Sequence, residues 1–270
     1  MASLSAAHVG SPRLNAETLL MFTLGCDRAY LYAHPERALS SDEQNRYDAA
    51  IEQRSRGVPA QYISGHQEFW GMDLIVSPAV LIPRPETEHV IETVLSVISK
   101  NAGSRIVDVG TGSGAIALAL AKELLNAEIH ATDISSEALE IARANAARHQ
   151  LQDRVRFHQA DLLGELTGFD IVVSNPPYVG ESEEDQVQLE VRKFEPRQAV
   201  FAGPTGLEVI SRLVPQARSV VNENGWLVME ISGTIVEGVR RLLKDWQNLR
   251  ITPDLQGIPR VAAAQKLITK

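Results

Sequence analysis

The chain contains a single cysteine, Cys26, among its 270 residues. A disulfide framework within the chain is therefore excluded, which fits a reducing compartment. No run of about 18 consecutive apolar residues occurs, so we expect no membrane span. The N-terminal segment lacks a charged region followed by a long apolar core, which argues against a signal peptide. We expect a cytoplasmic protein.

Basic residues are few as well. The 26 lysines and arginines are outnumbered by 34 aspartates and glutamates, which gives a formal net charge of −8. Proteins that grip a long stretch of phosphate backbone depend on clustered lysine and arginine, so we expect no direct binding of nucleic acid. The seven histidines are scattered, and none is placed beside a carboxylate at i, i+4 spacing. We therefore predict no metal site.

The first part of the chain has a helical pattern. The segment NAETLLMFTLG ends at Gly25, and SSDEQNRYDAAIEQRSRG begins with a capping box of Ser41 and Gln44 and stops at Gly57. We predict a helical N-terminal domain over residues 1–64, which is either a packing appendage or a partner-docking module. Residues 65–85 follow as a linker, in which aromatic and β-branched residues on either side of Gly71 predict a β-hairpin.

The rest of the chain, residues 86–270, has the pattern of an α/β domain. Pro83 and Pro85 prevent a helix before Glu86, and apolar residues then recur at helical spacing. From Arg105 on, strands and helices alternate; the predicted strands are RIVDVG, EIHATD, RVRFHQAD, FDIVVS and GWLVMEI. The tail predicts two more strands around a loop. Such alternation with apolar strands implies a mostly parallel sheet covered on both faces.

A glycine-rich loop separates the first strand of this domain from its helix, in VDVGTGSGAIAL. Glycines at this place permit a tight turn and the close approach of a ligand to the helix N-terminus. We predict a cofactor-binding loop made of Gly110, Thr111, Gly112, Ser113 and Gly114. The loop alone does not identify the ligand, because Gly110, Gly112 and Ala115 also satisfy the dinucleotide pattern G-x-G-x-x-A.

Acidic residues near the ends of three successive strands narrow the choice of cofactor. Asp108 precedes the loop, where a carboxylate repels a pyrophosphate but attracts an ammonium group. S-Adenosylmethionine carries an α-ammonium and a sulfonium and no phosphate. Asp133 ends the second strand, where it accepts from ribose hydroxyls or caps the next helix. Asp161 ends the third strand, as an acceptor for the adenine amino group or as a solvated loop residue.

The segment FDIVVSNPPY places Asn175 at the carboxyl end of the next strand, at the same crevice. No nucleophile or histidine base accompanies it, which argues against a covalent route. Methyl transfer to a planar amino nitrogen instead needs acceptors for its two N–H bonds, which hold the NH₂ group and stabilise the growing positive charge. The Asn175 side-chain oxygen and the Pro176 carbonyl supply them.

The neighbours of Asn175 suit the same chemistry. Pro176 and Pro177 lack competing N–H donors and limit φ, and Tyr178 offers a ring face to a flat substrate group. We predict Asn175, Pro176 and Tyr178 as catalytic residues. We predict these three and Pro177 as substrate-binding residues. The motif itself leaves adenine, cytosine and glutamine open as methyl acceptors.

At this point the sequence resembles a known family. DVGTGSG and NPPY resemble the motifs of class I S-adenosylmethionine-dependent amino-methyltransferases, and LIPRPETE, FEPRQAV and GLEVI are similar to segments of the PrmC/HemK family of release factor glutamine methyltransferases. The resemblance runs from about Tyr62 to the C-terminus. It implies a Rossmann-like, seven-stranded, mostly parallel sheet, a helical N-terminal domain that docks release factors, and S-adenosylmethionine as cofactor. It also implies N5-methylation of the glutamine in the Gly-Gly-Gln motif of class-1 peptide chain release factors.

The resemblance carries over to individual residues. Gly110 to Gly114 and Asp133 match the cofactor motif, and Asn175 to Tyr178 match the motif for the substrate amide, with Asn175 also near the cofactor. Leu162 stands where many members carry a tryptophan, so it packs on the adenine without stacking like an indole. Arg84 matches the motif before the loop and is implied to contact substrate. We expect a monomer.

Three alternatives remain at this stage. The first is glutamine methylation of a ribosomal protein, against which IPRPETE argues. The second is N6-adenine or N4-cytosine methylation of nucleic acid, against which the acidic segment VGESEEDQVQLE argues. The third, from a different class, is a non-catalytic nucleoside-binding or dinucleotide-dependent module.

Overall fold

The computed structural model describes residues 2–99 and 103–266. The α-helices are α1 (Ala2–Ala6), α2 (Pro12–Leu24), α3 (Arg28–Ala33), α4 (Ser41–Ser55), α5 (Ala60–Ser64), α6 (Glu88–Val97), α7 (Ala115–Glu123), α8 (Ser136–Arg148), α9 (Leu189–Phe194), α10 (Arg197–Val200), α11 (Glu208–Val220) and α12 (Val236–Leu242). The strands are β1 (His66–Phe69), β2 (Met72–Ile75), β3 (Arg105–Val109), β4 (Glu128–Asp133), β5 (Val155–Gln159), β6 (Phe169–Ser174), β7 (Val179–Gly180), β8 (Phe201–Gly203), β9 (Val221–Glu230), β10 (Gln247–Pro253) and β11 (Pro259–Gln265).

The chain forms two compact units. The smaller one contains residues up to His66 together with Gln188–Phe194, and the larger one contains Gln67–Val187 and the residues from Glu195 on. The hairpin of β1 and β2 thus enters the larger unit after its first residue, and helix α9, far along the chain, belongs to the smaller unit. The sequence pattern does not reveal that α9 belongs to the smaller unit, because a short helical segment is compatible with either unit.

Two features fix the helices of the smaller unit. The capping box of α4 consists of Ser40 and Glu43, so the predicted pair of Ser41 and Gln44 was wrong by one residue. Ser40 has the extended backbone of a cap, and the Glu43 carboxylate accepts its N–H at 2.9 Å. The buried Arg54 side chain donates to Glu190 Oε2 at 2.7 Å and to the Val58 carbonyl at 3.0 Å, which attaches α9 to this unit.

The predicted hairpin around Gly71 is confirmed. Strands β1 and β2 pair in a two-stranded sheet. The two residues between them, Trp70 and Gly71, have φ of 51° and 63°, the left-handed backbone that a two-residue hairpin turn requires. Glu88 at the start of α6 accepts the Trp70 N–H at 2.8 Å. Asn145 of α8, fully buried, exchanges hydrogen bonds with the Ile75 backbone, so both ends of the hairpin are held.

The larger unit is built on a seven-stranded sheet in the order β10-β11-β9-β6-β3-β4-β5. Strands β9, β6, β3, β4 and β5 are parallel. Strand β11 is antiparallel to β9, and β10 is antiparallel to β11. The predicted mostly parallel sheet is confirmed. From β3, the next strands along the chain, β4 and β5, are added on one side of the sheet. The later strands β6 and β9 are added on the other side, so the direction in which strands are added reverses between β3 and β6. Ligands of open α/β sheets bind outside the carboxyl ends of the strands at such a point.

Apolar helices cover both faces of the sheet. One hydrophobic cluster packs α6 and α7 against it, and α7 is buried along Ala115–Ala121. The other cluster packs α11 and α12 on the opposite face. Burial of this kind on both faces explains why β3 and β6 contain consecutive buried apolar residues. Polar residues that follow the strands are therefore available for a site.

Candidate active site

A cleft of about 350 Å³ lies outside the carboxyl ends of β3, β4 and β6. Most of the predicted site residues line it: Gly110, Thr111, Gly112, Ser113, Asp133, Asp161, Leu162, Asn175, Pro176 and Pro177. The remaining predicted residues, Arg84, Asp108, Gly114 and Tyr178, lie outside its lining. Thr87, Ile134 and Arg212 line the cleft although the sequence analysis did not select them.

The glycine loop is shaped for close approach of a ligand. Gly110 and Gly112 have φ of 72° and 55°, and a Cβ atom built on either would meet no protein atom within 4 Å. A side chain there would occupy the open space of the cleft. Gly114 differs, because its Cβ would approach Ala142 Cβ at 3.3 Å and Leu118 at 3.2 Å. Its role is close packing of helices α7 and α8, as is usual for the last glycine of such loops.

Asp108 lies behind the loop rather than at its mouth. Its side chain is 1% exposed, and Oδ2 accepts from the Thr111 hydroxyl at 2.6 Å and from the Ala117 N–H at 3.2 Å. Burial raises the pKa of Asp108 to about 7, an effect that those two hydrogen bonds oppose and the nearby Asp133 charge reinforces. Among the described residues Oδ1 has no hydrogen-bond partner although it is buried. An unpaired buried carboxylate oxygen is costly unless a ligand cation satisfies it.

Asp133 ties the second strand to the glycine loop. Its Oδ2 accepts from the Gly112 N–H at 2.8 Å, and its Oδ1 accepts from the Ser135 N–H at 2.9 Å. The N-cap of α8 is Ser135, whose hydroxyl accepts from the Ala138 N–H at 3.1 Å. The cap that the sequence analysis considered for Asp133 is therefore provided by Ser135, and the Asp133 carboxylate remains at the cleft.

Asp161 and Leu162 lie two and three residues beyond the end of β5, which stops at Gln159. The Asp161 carboxylate is paired with the Arg212 guanidinium of α11, and both residues line the cleft. Leu162 has a φ of 56°, a left-handed conformation that few non-glycine residues adopt. The side chain of Leu162 packs on the hydrophobic cluster of α11 and α12, so it forms an apolar wall of the cleft.

A buried polar network extends from the Asn-Pro-Pro-Tyr segment. Asn175 Nδ2 donates to Thr87 Oγ1 at 3.1 Å, and the Thr87 hydroxyl donates to Glu230 Oε2 at 2.6 Å. The Tyr178 hydroxyl donates to Glu230 Oε1 at 2.8 Å. Thr87 and Glu230 are 4% and 1% exposed. Burial raises the pKa of Glu230, opposed by the hydrogen bonds from Thr87 and Tyr178 and by the positive charge of Arg260.

Sequence reasoning missed Thr87 and Glu230, although a signal existed for both. Thr87 lies within LIPRPETE, and Glu230 ends β9 in WLVMEI, an acidic residue at the carboxyl end of a parallel strand like Asp133. Tyr178 was expected to offer its ring to the substrate. Its ring packs on the second hydrophobic cluster, and burial together with Glu230 raises the pKa of its hydroxyl.

Arg84 lies beside the site on a separate contact. Its guanidinium is paired with Glu195, whose Oε2 accepts from the Ile82 N–H at 3.1 Å. Glu195 is 6% exposed, so this contact joins the LIPRPETE and FEPRQAV segments around a buried carboxylate. A substrate contact of Arg84 stays a prediction.

Within residues 2–99 and 103–266, no three or more histidine, cysteine, aspartate or glutamate side chains are grouped so as to hold a metal ion. In the same ranges, the helices are too short or too polar to cross a membrane.

The sheet order, the glycine loop at the switch point and the Asn-Pro-Pro-Tyr segment define a class I methyltransferase. Residues 1–65 match the PrmC N-terminal domain family, and residues 88–193 match the methyltransferase small domain family. The chain is 54% identical to the release factor glutamine methyltransferase of Koribacter versatilis (strain Ellin345), covering 97% of this chain and 94% of the relative. It belongs to the release factor glutamine methyltransferase family.

Other similarities agree. The release factor glutamine methyltransferase of Rhodopirellula baltica is 37% identical, covering 95% of this chain and 90% of that protein. The crystal structure of a methyltransferase from Pyrococcus furiosus superimposes with a TM-score of 0.55 at 19% identity, covering 85% of this chain and 100% of that chain. The structural similarity supports the fold, and the sequence similarity supports the family.

Proposed function

We propose that the protein transfers a methyl group from S-adenosylmethionine to the side-chain amide nitrogen (N5) of the glutamine in the Gly-Gly-Gln motif of class-1 peptide chain release factors. The similarity to release factor glutamine methyltransferases supports the substrate, and the observation that carries the chemistry is the hydrogen bond from Asn175 Nδ2 to Thr87. It engages the NH₂ end of the Asn175 amide and leaves Oδ1 to accept from a substrate amide. Pro176 lines the same cleft, and its carbonyl would serve as the second acceptor.

The residues in and around the cleft fit S-adenosylmethionine. Asp108, which lies behind the loop, has a buried Oδ1 without a hydrogen-bond partner among the described residues, and the space before Gly110 and Gly112 is open. Asp133, Asp161 and Leu162 line the cleft, as do Thr111, Ser113 and Asn175. Asp133 would accept from the ribose hydroxyls, Leu162 would cover one face of the adenine, Asp161 would accept from the adenine amino group, and Thr111, Ser113 and Asn175 would also contact the cofactor. The sulfonium of this cofactor supplies an activated methyl group.

The chain's own residues then act on the nucleophile. The lone pair of an amide nitrogen is delocalised, so the nitrogen attacks poorly unless it is held and its growing positive charge is stabilised. Asn175 Oδ1 and the Pro176 carbonyl would accept hydrogen bonds from the two N–H groups and turn the lone pair toward the methyl group. As the N–C bond forms, the S–C bond of the sulfonium breaks to leave S-adenosylhomocysteine, and the methylated nitrogen would lose one proton to water. Pro177 limits the backbone at the second acceptor. Tyr178, held by Glu230, would complete the wall behind the amide.

The partner follows from the family. The match of residues 1–65 to the PrmC N-terminal domain supports release-factor docking by the helical domain at residues 1–64. We also propose that the protein is a monomer in the cytoplasm and does not bind nucleic acid directly. The proposed reaction uses no metal.

A methyl-transfer assay tests the proposal. The protein is incubated with S-adenosylmethionine and a purified class-1 release factor, and the products are analysed by peptide mass spectrometry. We expect a gain of one methyl group confined to the Gly-Gly-Gln peptide and none on a release factor whose glutamine is replaced by alanine. Label on a ribosomal protein, DNA or RNA in place of the release factor would contradict the proposal.

A further inference from the structure

The buried carboxylate of Glu230 lies directly behind the Asn-Pro-Pro-Tyr segment. In the sheet, β9 is parallel to β6, and Met229 is paired with Ser174. Glu230 and Asn175 therefore follow a matched pair at the same edge. Building on the proposed function, we propose that Glu230, acting through Thr87, is a positioning residue that sets which end of the Asn175 amide faces the substrate.

The argument rests on the direction of the hydrogen bonds. Both carboxylate oxygens of Glu230 accept from hydroxyl groups, Oε2 from Thr87 at 2.6 Å and Oε1 from Tyr178 at 2.8 Å, so the Thr87 proton is directed to Glu230. The Thr87 oxygen then has only lone pairs left for Asn175, which must offer its NH₂ end at 3.1 Å. The amide oxygen is left at the cleft as an acceptor. The orientation of an amide that could otherwise rotate by half a turn is thus dictated by a charge two hydrogen bonds away.

The reversed orientation would defeat the proposed chemistry. It would present the Asn175 NH₂ group to the NH₂ group of the substrate glutamine, so that two donors face each other and no acceptor stabilises the charge. Removal of a single group that stabilises transition-state charge typically lowers kcat by about 10²–10³-fold. Without the network, part of the population still has the correct amide orientation, so we expect kcat to fall by roughly ten- to a hundredfold.

The second oxygen of Glu230 makes the network specific to this segment. It accepts from the Tyr178 hydroxyl at 2.8 Å, so one carboxylate holds both the first and the last residue of Asn-Pro-Pro-Tyr. The charge of Arg260, which is itself paired with Asp254 at 3.0 Å, stabilises the ionised form of Glu230.

Two variants separate orientation from packing. Glu230→Gln keeps the shape of the side chain, but its amide can donate to Thr87, which then donates to the Asn175 oxygen that the substrate needs. Thr87→Val removes the connecting hydroxyl, and Thr87→Ser restores it. Thr93→Val is the matched control, because Thr93 in α6 donates only to the His89 carbonyl of its own helix at 2.7 Å.

The measurements are kcat and KM for methyl transfer to the release factor, the affinity for S-adenosylhomocysteine by calorimetry, and Tm. We expect Glu230→Gln and Thr87→Val to lower kcat roughly ten- to a hundredfold with cofactor affinity within about twofold, Thr87→Ser to recover most of kcat, and Thr93→Val to match the parent. Because the two residues act in series, the double variant should lose less than the product of the single losses.

The outcomes are distinct. If the parent enzyme does not methylate the release factor, the proposed function fails. If the parent is active and both Glu230→Gln and Thr87→Val keep its kcat, or if their losses multiply in the double variant, the positioning role is refuted. Where Thr87→Val does not fold by Tm, the isosteric Glu230→Gln alone decides.

Discussion

Cofactor binding should be linked to the ionisation of Asp108, and the structure gives the size of the effect. The carboxyl is 1% exposed, and burial raises its pKa to about 7. Under the proposed function, Asp108 would pair with the α-ammonium of the cofactor, and that pairing needs the ionised carboxylate. Asp108→Asn removes the titrating group while keeping the acceptor for the Thr111 hydroxyl, so it is the informative perturbation.

The magnitude follows from the ionised fraction. The ratio of ionised to protonated carboxyl changes tenfold for each pH unit. With a pKa of about 7, Asp108 is therefore roughly 9% ionised at pH 6.0 and roughly 76% ionised at pH 7.5. If only the ionised form binds, the apparent Kd is the intrinsic value divided by that fraction. The affinity should therefore rise about eightfold between pH 6.0 and 7.5. The affinity rises with pH because the ionised carboxylate, which is the form that binds, becomes more abundant as the pH rises through the raised pKa.

Calorimetry with S-adenosylhomocysteine tests this link. Titrations at both pH values, in buffers of different ionisation enthalpy, give Kd and the number of protons released per ligand bound, which should be about 0.9 at pH 6.0 and about 0.2 at pH 7.5. 5′-Methylthioadenosine serves as the matched ligand, because it lacks the ammonium and should show no such dependence. A Kd for S-adenosylhomocysteine that is equal at both pH values, or a dependence that persists in Asp108→Asn, would refute the role of Asp108.

Two further predictions follow from the site and from the smaller unit. Asn175→Ala should lower kcat by about 10²–10³-fold with nearly unchanged affinity for S-adenosylhomocysteine, whereas Asp133→Ala should weaken that affinity roughly ten- to a hundredfold, since it loses charge-assisted hydrogen bonds; equal effects of both variants on affinity would contradict the division of roles. Ser40→Ala should lower the free energy of unfolding of the protein by about 1 kcal/mol in urea titrations, and Ser41→Ala should change it little, because Ser40 provides the cap of α4. The opposite order of these two effects would show that the helix begins one residue later.

Local physical chemistry was enough to predict much of the fold. Strands β4 and β6 begin and end at the predicted residues, because the alternation of strands with helices marks them on the chain. The glycine loop and the Asn-Pro-Pro-Tyr segment were also predicted as parts of one site. That prediction succeeds because the carboxyl ends of parallel strands necessarily meet at one edge of the sheet.

Tertiary structure decided what each polar group contacts. The Asp161 carboxylate is paired with Arg212, and Arg84 is paired with Glu195 more than a hundred residues away. No local pattern predicts such partners, because they depend on which loops the sheet order brings together.

The roles of Thr87 and Glu230 show the same limit most clearly. By sequence, Thr87 is one polar residue after two prolines, and Glu230 is the last residue of an apolar strand. Only the parallel pairing of β9 with β6 brings the Glu230 carboxylate behind Asn175. The sequence alone thus determined which polar side chains form the site and that they lie at the carboxyl ends of the parallel strands. The folded chain decided their burial and the direction of their hydrogen bonds, because both depend on neighbours that are distant along the chain.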